Sequence, residues 1–184
     1  KRPGIRVYLG PNVDSSRNIS LLNGQRAVNS RLSYGINADF NKQKDKKYDI
    51  SLSPNFSWVQ AKNSINSTAS ASYWQLGLRA DVDITLPYKF RFETDVNFNA
   101  KQQDPRFPAR NKFTIWNAAL KRNILKDKLE ASVSVNDILN ENRGYERSFN
   151  DYRYSETFYN TLTRFWMFTL TWNFSKNGKP PSDF

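Results

Sequence analysis

The chain has 184 residues, 28 Lys and Arg against 17 Asp and Glu, a formal net charge of +11, and neither Cys nor His. That length holds one domain or one piece of a larger one. The missing Cys and His exclude disulfides, thiol nucleophiles, zinc held by nitrogen or sulfur, and every histidine relay.

Mean hydropathy is −0.75, and the apolar runs fall far short of the ~20 residues that a membrane-crossing helix needs. No apolar stretch follows the basic start KRPGIRVYLG, so it does not read as a secretory signal. Yet 15% of the residues are aromatic, and their spacing decides the class.

Ile5–Leu9 is a short extended stretch. In 31–40, Leu32, Tyr34, Ile36, Ala38 and Phe40 share one parity, and Ser33, Gly35, Asn37 and Asp39 share the other. Successive strand side chains point to opposite faces, so this is an amphipathic strand. Residues 48–58 repeat the pattern with Tyr48, Ile50, Leu52, Phe56 and Trp58. Residues 73–86 hold it longest, from Trp74 through Leu78 and Val82 to Leu86. Residues 89–100 follow with Phe90, Phe92, Val96 and Phe98, then 114–123 with Trp116, Ala118 and Leu120. Residues 128–139 carry Leu129, Ala131, Val133 and Val135, and 164–174 carry Trp166, Phe168, Leu170, Trp172 and Phe174. About eight strands result, and no segment of similar length has a 3.6-residue period. The fold class is all-β and antiparallel. Pro54 lies mid-strand, where it removes a ladder donor, and predicts a local bulge.

The connectors alternate. Leu86-Pro87-Tyr88 and 124–128 are short, and 41–47 falls on the same side; 59–72, 101–112 and 140–162 are long and polar. Short turns at one end and long loops at the other are the habit of outer-membrane barrels. A soluble sandwich also alternates, but its strands run ~5–6 residues, against ~9–11 for a membrane strand. Here the rings Trp58, Trp74, Tyr88, Trp166, Trp172 and Phe174 fall near strand ends, as in an aromatic girdle. The expectation is a transmembrane β-barrel over 1–174 with a polar periplasmic tail at 175–184.

The polar parity is mostly Ser, Asn, Asp, Gly and Thr. Such small groups suit a lumen wider than that of a closed eight-stranded barrel, which its own side chains fill. Around Leu86-Pro87-Tyr88, pairing Thr85 with Lys89 sets Asp83 opposite Arg91 and Arg79 opposite Asp95. A two-residue shift sets Asp83 by Lys89, Asp81 by Arg91 and Arg79 by Glu93. Both registers oppose unlike charges, the stabilising arrangement. Arg79, Asp81, Asp83, Arg91, Glu93 and Asp95 are thus expected to line the lumen, as a structural ladder or as a path for an ion or solute.

The run WNAALKRNILKDKLEASVSVNDILNENR at 116–143, a polar loop, and TRFWMFTLTWNF at 163–174 resemble the barrel end of TonB-dependent outer-membrane receptors. The resemblance is to the branch of SusC-like nutrient importers and their "outer membrane β-barrel" relatives, and covers 113–174. It rests on the turn at Lys121–Leu129, the N-D-I-L-N element at Asn136–Asn140, and the closing aromatic strand at Trp166–Phe174. It implies a barrel of about 22 strands around an N-terminal plug, with TonB contacted by a segment upstream of this chain, and surface lipoproteins or other subunits as further partners. It also implies that Phe168, Leu170, Trp172 and Phe174 carry the signal read by the barrel-assembly machinery; the same rings face lipid in either case.

The basic residues cluster in connectors and form no stripe with stacking platforms, which speaks against nucleic acid. Lipopolysaccharide phosphates are a better match for Arg106, Arg110, Lys112, Arg147 and Arg153, unless these charges are simply solvated. The carboxylate pairs Asp81–Asp83 and Glu93–Asp95 lie among basic neighbours, so no catalytic residue is assigned. Asn12 and Asp14 raise a calcium site only weakly; no metal and no cofactor is expected. The functional expectation is a wall segment of a TonB-dependent receptor-like nutrient importer that closes the barrel and carries extracellular loops, with a small self-contained barrel in a structural, adhesive or surface-machine subunit role as the alternative.

Overall fold

The computed structural model describes residues 4–65, 70–102, 112–125, 128–142, 144–149 and 154–172. Its strands are β1 Gly4–Leu22, β2 Gln25–Lys44, β3 Tyr48–Asn63, β4 Ala71–Thr85, β5 Phe90–Lys101, β6 Lys112–Ile124, β7 Leu129–Asn136, β8 Tyr145–Phe149, β9 Tyr154–Phe158 and β10 Phe165–Trp172. Eight of them form one antiparallel sheet in the order β1-β2-β3-β4-β5-β6-β7-β10, and β8 and β9 form a separate hairpin. Among the described residues β1 pairs only with β2, and β10 only with β7, so the sheet is open.

The alternation seen in the sequence holds across the ladder. One apolar row runs Ile50–Val82–Thr94–Ala118–Val135–Trp166, and a ring row runs Tyr34–Trp58–Trp74. The adjacent polar row runs Asp49–Asp83–Glu93–Ala119–Ser134–Met167. Thr94 is a polar member of the apolar face, and it is satisfied locally. Its Oγ1 donates to Asn117 O at 2.7 Å and accepts the Trp116 indole N–H at 2.8 Å.

Among the described residues no second layer covers the apolar face. Trp74, Leu78, Val82 and Phe92 are half-exposed, and Leu170 is 58% exposed. Among the described residues Val59 is the one large side chain that is fully buried. Eight strands at ~4.8 Å spacing make this face roughly 38 Å wide, far beyond the apolar patch a soluble monomer exposes.

Three expectations are corrected. First, the opening strand is not Ile5–Leu9 but the 19-residue β1, and it pairs along its whole length with the 20-residue β2. Asn23 and Gly24 join them with φ of 50° and 77°; two left-handed residues make the primed turn whose twist matches the flanking strands. Second, Pro54 makes no bulge. The β2–β3 register is the same on both sides, from Asn37↔Asn55 to Phe40↔Leu52, with the two intervening pairs missing. The absent proline N–H opens the ladder there without inserting a residue, and Ser53 Oγ donates to Asp39 at 2.7 Å across the gap. Third, the stretch 140–162 is not an unstructured loop, since β8 and β9 lie in it.

At one end the connectors are 45–47, 86–89 and 125–128; at the other they are 23–24, 64–70, 102–111 and 137–164. The segregation of short and long connectors agrees with the reading from sequence, with the Asn23-Gly24 turn as the exception at the long end.

Candidate functional site: the acidic trough on the polar face

Strands β2 to β7 place a set of charged and amide side chains on the polar face near the short-connector end. They line an open hollow of about 590 Å³. Alternation alone puts them on one face. The turns then decide which of them meet.

The β4–β5 register differs from both arrangements the sequence offered. Thr85 lies opposite Arg91, so Asp83 faces Glu93, Asp81 faces Asp95 and Arg79 faces Asn97. On the other side of β4, Asp49 faces Asp83. The cause is the turn. Pro87–Lys89 forms a 3-10 turn in which Tyr88 and Lys89 take φ of 62° and 63°, and Leu86 N–H donates to Phe90 O at 2.8 Å. The loop is therefore centred on Tyr88 rather than on Pro87, and each partner moves by two.

Like charges directly opposite are destabilising, and cations on the diagonals offset them. Arg91 grips Asp83 through both Nε and a terminal nitrogen, and its Nε lies 3.2 Å from Glu93. Lys121 Nζ reaches Glu93 from β6 at 2.7 Å, and Arg79 makes a two-pronged contact with Asp81 at 2.9 and 3.1 Å. Asp95 and Asp49 are held by amides instead: Asn117 donates to Asp95 at 2.9 Å and Asn41 to Asp49 at 3.0 Å. Among the described residues neither has a cation within 4.0 Å. Five carboxylates thus meet three cations, so this patch is acidic on a chain whose net charge is +11. Asp81 and Asp83 side chains are 38% and 28% exposed. Ion pairs this wet contribute at most about 1 kcal/mol each.

The other residues singled out in the sequence are scattered. Phe168, Leu170 and Trp172 lie on the apolar face of β10 opposite Val133, Ala131 and Leu129; Phe174 lies outside the described residues. Lys112 opens β6 opposite Ala100 and is exposed. Arg147 lies in β8, and Arg106, Arg110 and Arg153 lie outside the described residues, as does the tail 175–184. Asn12 and Asp14 sit inside β1 rather than in a loop, and the Asn12 amide donates to Asp14 at 3.2 Å. No group of three or more carboxylates among the described residues is arranged to hold a metal ion.

Two polar clusters went unread in the sequence. Asp137, 3% exposed, ends β7 with φ 51° and accepts the N–H groups of Glu141 and Asn142, each at 3.0 Å. Its own N–H donates to Asn117 Oδ1 at 2.9 Å, and Asn140 Oδ1 accepts the Arg164 N–H at 3.2 Å. The N-D-I-L-N element is therefore a clasp that stops one strand and sets the start of the next. Farther along the long-connector end, buried Asn63 donates to buried Asn29 at 2.6 Å.

Open sheet, uncovered apolar face, wet polar face and segregated connectors meet in one architecture. The model of the outer membrane protein beta-barrel family matches residues 12–172. The chain belongs to that family. No curated protein and no solved structure matches it. This barrel protein resides in the bacterial outer membrane. In barrels of this kind the apolar face meets lipid and the polar face the interior, with short turns periplasmic and long loops extracellular.

Proposed function

We propose that this chain is a section of the wall of a larger barrel, a TonB-dependent nutrient importer. The observation that carries the reading is the open eight-stranded sheet, in which, among the described residues, β1 and β10 each pair on one side only. An exposed edge is a template for a further strand, and here the edges belong to strands whose apolar parity is already set for lipid. The polar face supports the same reading, because it leaves an open hollow lined by wet side chains instead of filling a narrow core. The motifs at Lys121–Leu129, Asn136–Asn140 and Trp166–Phe174 add the resemblance to importers.

On this reading the trough of Arg79, Asp81, Asp83, Arg91, Glu93 and Asp95 keeps the interior hydrated, with no catalytic role and no cofactor. Phe168, Leu170, Trp172 and Phe174 guide assembly, the basic extracellular residues meet lipopolysaccharide, and energy arrives from TonB through a segment outside this chain. A self-contained barrel is the second reading, and the strand count favours it, because eight is the smallest number among such barrels.

Cysteine pairs separate the two, because the chain has no native Cys. The paired residues Leu9 and Ala38, changed to Cys, are the positive control. Pairs joining Val7, Leu9 or Val13 of β1 to Phe168 or Leu170 of β10 should not cross-link within the chain in membranes. Efficient closure of such a pair would overturn the wall reading. Solute uptake by the intact receptor should stop when the proton-motive force is collapsed; continued uptake would mark a passive pore.

A further inference from the structure

The apolar parity carries three cations near the short-turn end. Lys42 and Lys44 lie on β2, opposite Ile50 and Tyr48 of β3; Arg122 lies on β6, opposite Phe90 and Ala131. Their chain neighbours Asn41 and Lys121 point the other way and serve the acidic trough. Two of the three cations rest on rings of the same face: Lys42 Nζ is 5.9 Å from the Tyr48 ring centroid, and Arg122 Cζ is 4.8 Å from that of Phe90. Both distances are within the reach of a cation–π contact. Among the described residues neither cation has a carboxylate within 4.0 Å.

The two sites share a depth in the tilted wall. Following the ladder from Lys42 through Ile50 and Val82 reaches Thr94 on β5, whereas Arg122 faces Phe90 on β5. Arg122 therefore lies four residues nearer the short-turn end, and it is four strands away. About one residue of stagger per strand is what barrel tilt imposes on a line parallel to the membrane. The rings Trp116 and Trp166 step in the same direction: the ladder from Trp166 through Val135 reaches Ala118, two residues nearer the short-turn end than Trp116 and two strands away. Lys42 and Arg122 thus mark a rim.

We infer that Lys42 with Tyr48, and Arg122 with Phe90, are two binding sites for anionic glycerophospholipids of the periplasmic leaflet. The charge complementarity is specific to this depth. A cation on the lipid-facing parity has no carboxylate to meet, and the anion present at the periplasmic surface is the lipid phosphate. The ring holds the cation at the boundary while the acyl chains lie along the apolar rows above it, such as Ile50–Val82 beside Lys42. The inference rests on family membership and sidedness, not on the import reading, so a failed uptake assay leaves it standing.

Native mass spectrometry of the intact outer-membrane protein that contains this chain, purified from membranes containing phosphatidylglycerol, tests it. The double variant Lys42→Gln/Arg122→Gln should retain less phosphatidylglycerol, with about a fivefold weakening for each cation removed. Retention of phosphatidylcholine should not change, and Arg26→Gln, an exposed cation of β2 at the other end, should behave as wild type. Heat-modifiability on gels reports folding. If the glutamine variant misfolds, Tyr48→Leu and Phe90→Leu should still lower retention, and Arg122→Lys should keep most of it. Equal retention in wild type and the folded variants would overturn the inference, and so would an equal loss in Arg26→Gln.

Discussion

The two faces of the sheet obey different rules. On the apolar face the side chains meet as rows of interchangeable hydrocarbon, such as Leu52–Ala80–Val96, and a slip of two residues would exchange one apolar neighbour for another. On the polar face the same slip changes the chemistry. It turns opposed unlike charges into Asp81 against Asp95 and Asp83 against Glu93. A two-residue shift preserves parity, so alternation assigns every side chain to a face yet leaves the register open. The register is set by the turn at 86–89, and the polar face then adapts with Arg79, Arg91 and Lys121.

If the apolar face is generic but absolute, a charge at its centre should do the most damage. Leu78→Arg should destabilise the folded barrel by about 2–4 kcal/mol, read by urea unfolding in liposomes; Arg79→Leu next door should do far less. Next comes the buried carboxylate on the polar side. Asp137→Ala leaves the Glu141 and Asn142 N–H groups without their acceptor, a loss of about 1–3 kcal/mol. Amide exchange at 141 and 142 should accelerate, while exchange in β4 should not. Gly24→Val puts a branched side chain at φ 77° and should weaken the β1–β2 ribbon by about 1–2 kcal/mol, seen as faster proteolysis at its tip. The smallest effect sharpens the contrast. Arg91→Gln leaves Asp83 and Glu93 opposed, yet their exposure limits the change to about 1 kcal/mol or less, and added salt should shrink it further.

These contrasts also explain what was legible in the sequence. From 31 onward, period two gave the strands of the eight-stranded sheet, both faces and the two ends, because lipid on one side enforces a strict alternation. The trough residues share the polar face for the same reason. Their partners were not legible, because Tyr88 and Lys89 adopt left-handed backbone that neither residue type advertises. In β1, Val13 and Ile19 keep the parity but are separated by polar residues, so the alternation fades; the Asn23-Gly24 dipeptide was the readable signal there. Asp137 looked like one more polar residue in a motif, since nothing in the sequence tells a solvated carboxylate from one that caps two backbone amides. The β8 and β9 strands are only five residues each, with Arg147 and Glu156 interrupting the rings of one parity, which left them without a readable period.

The central claim is that odd and even positions of one strand meet different solvents. Single cysteines at each position from Leu76 to Ile84 of β4, in membranes, test it against a charged water-soluble thiol reagent. Modification should alternate: Gly77, Arg79, Asp81 and Asp83, each changed to Cys, should react, and Leu76, Leu78, Ala80, Val82 and Ile84 should be protected until the lipid is removed. Equal reactivity at both parities, or protection of the odd positions instead, would contradict the account.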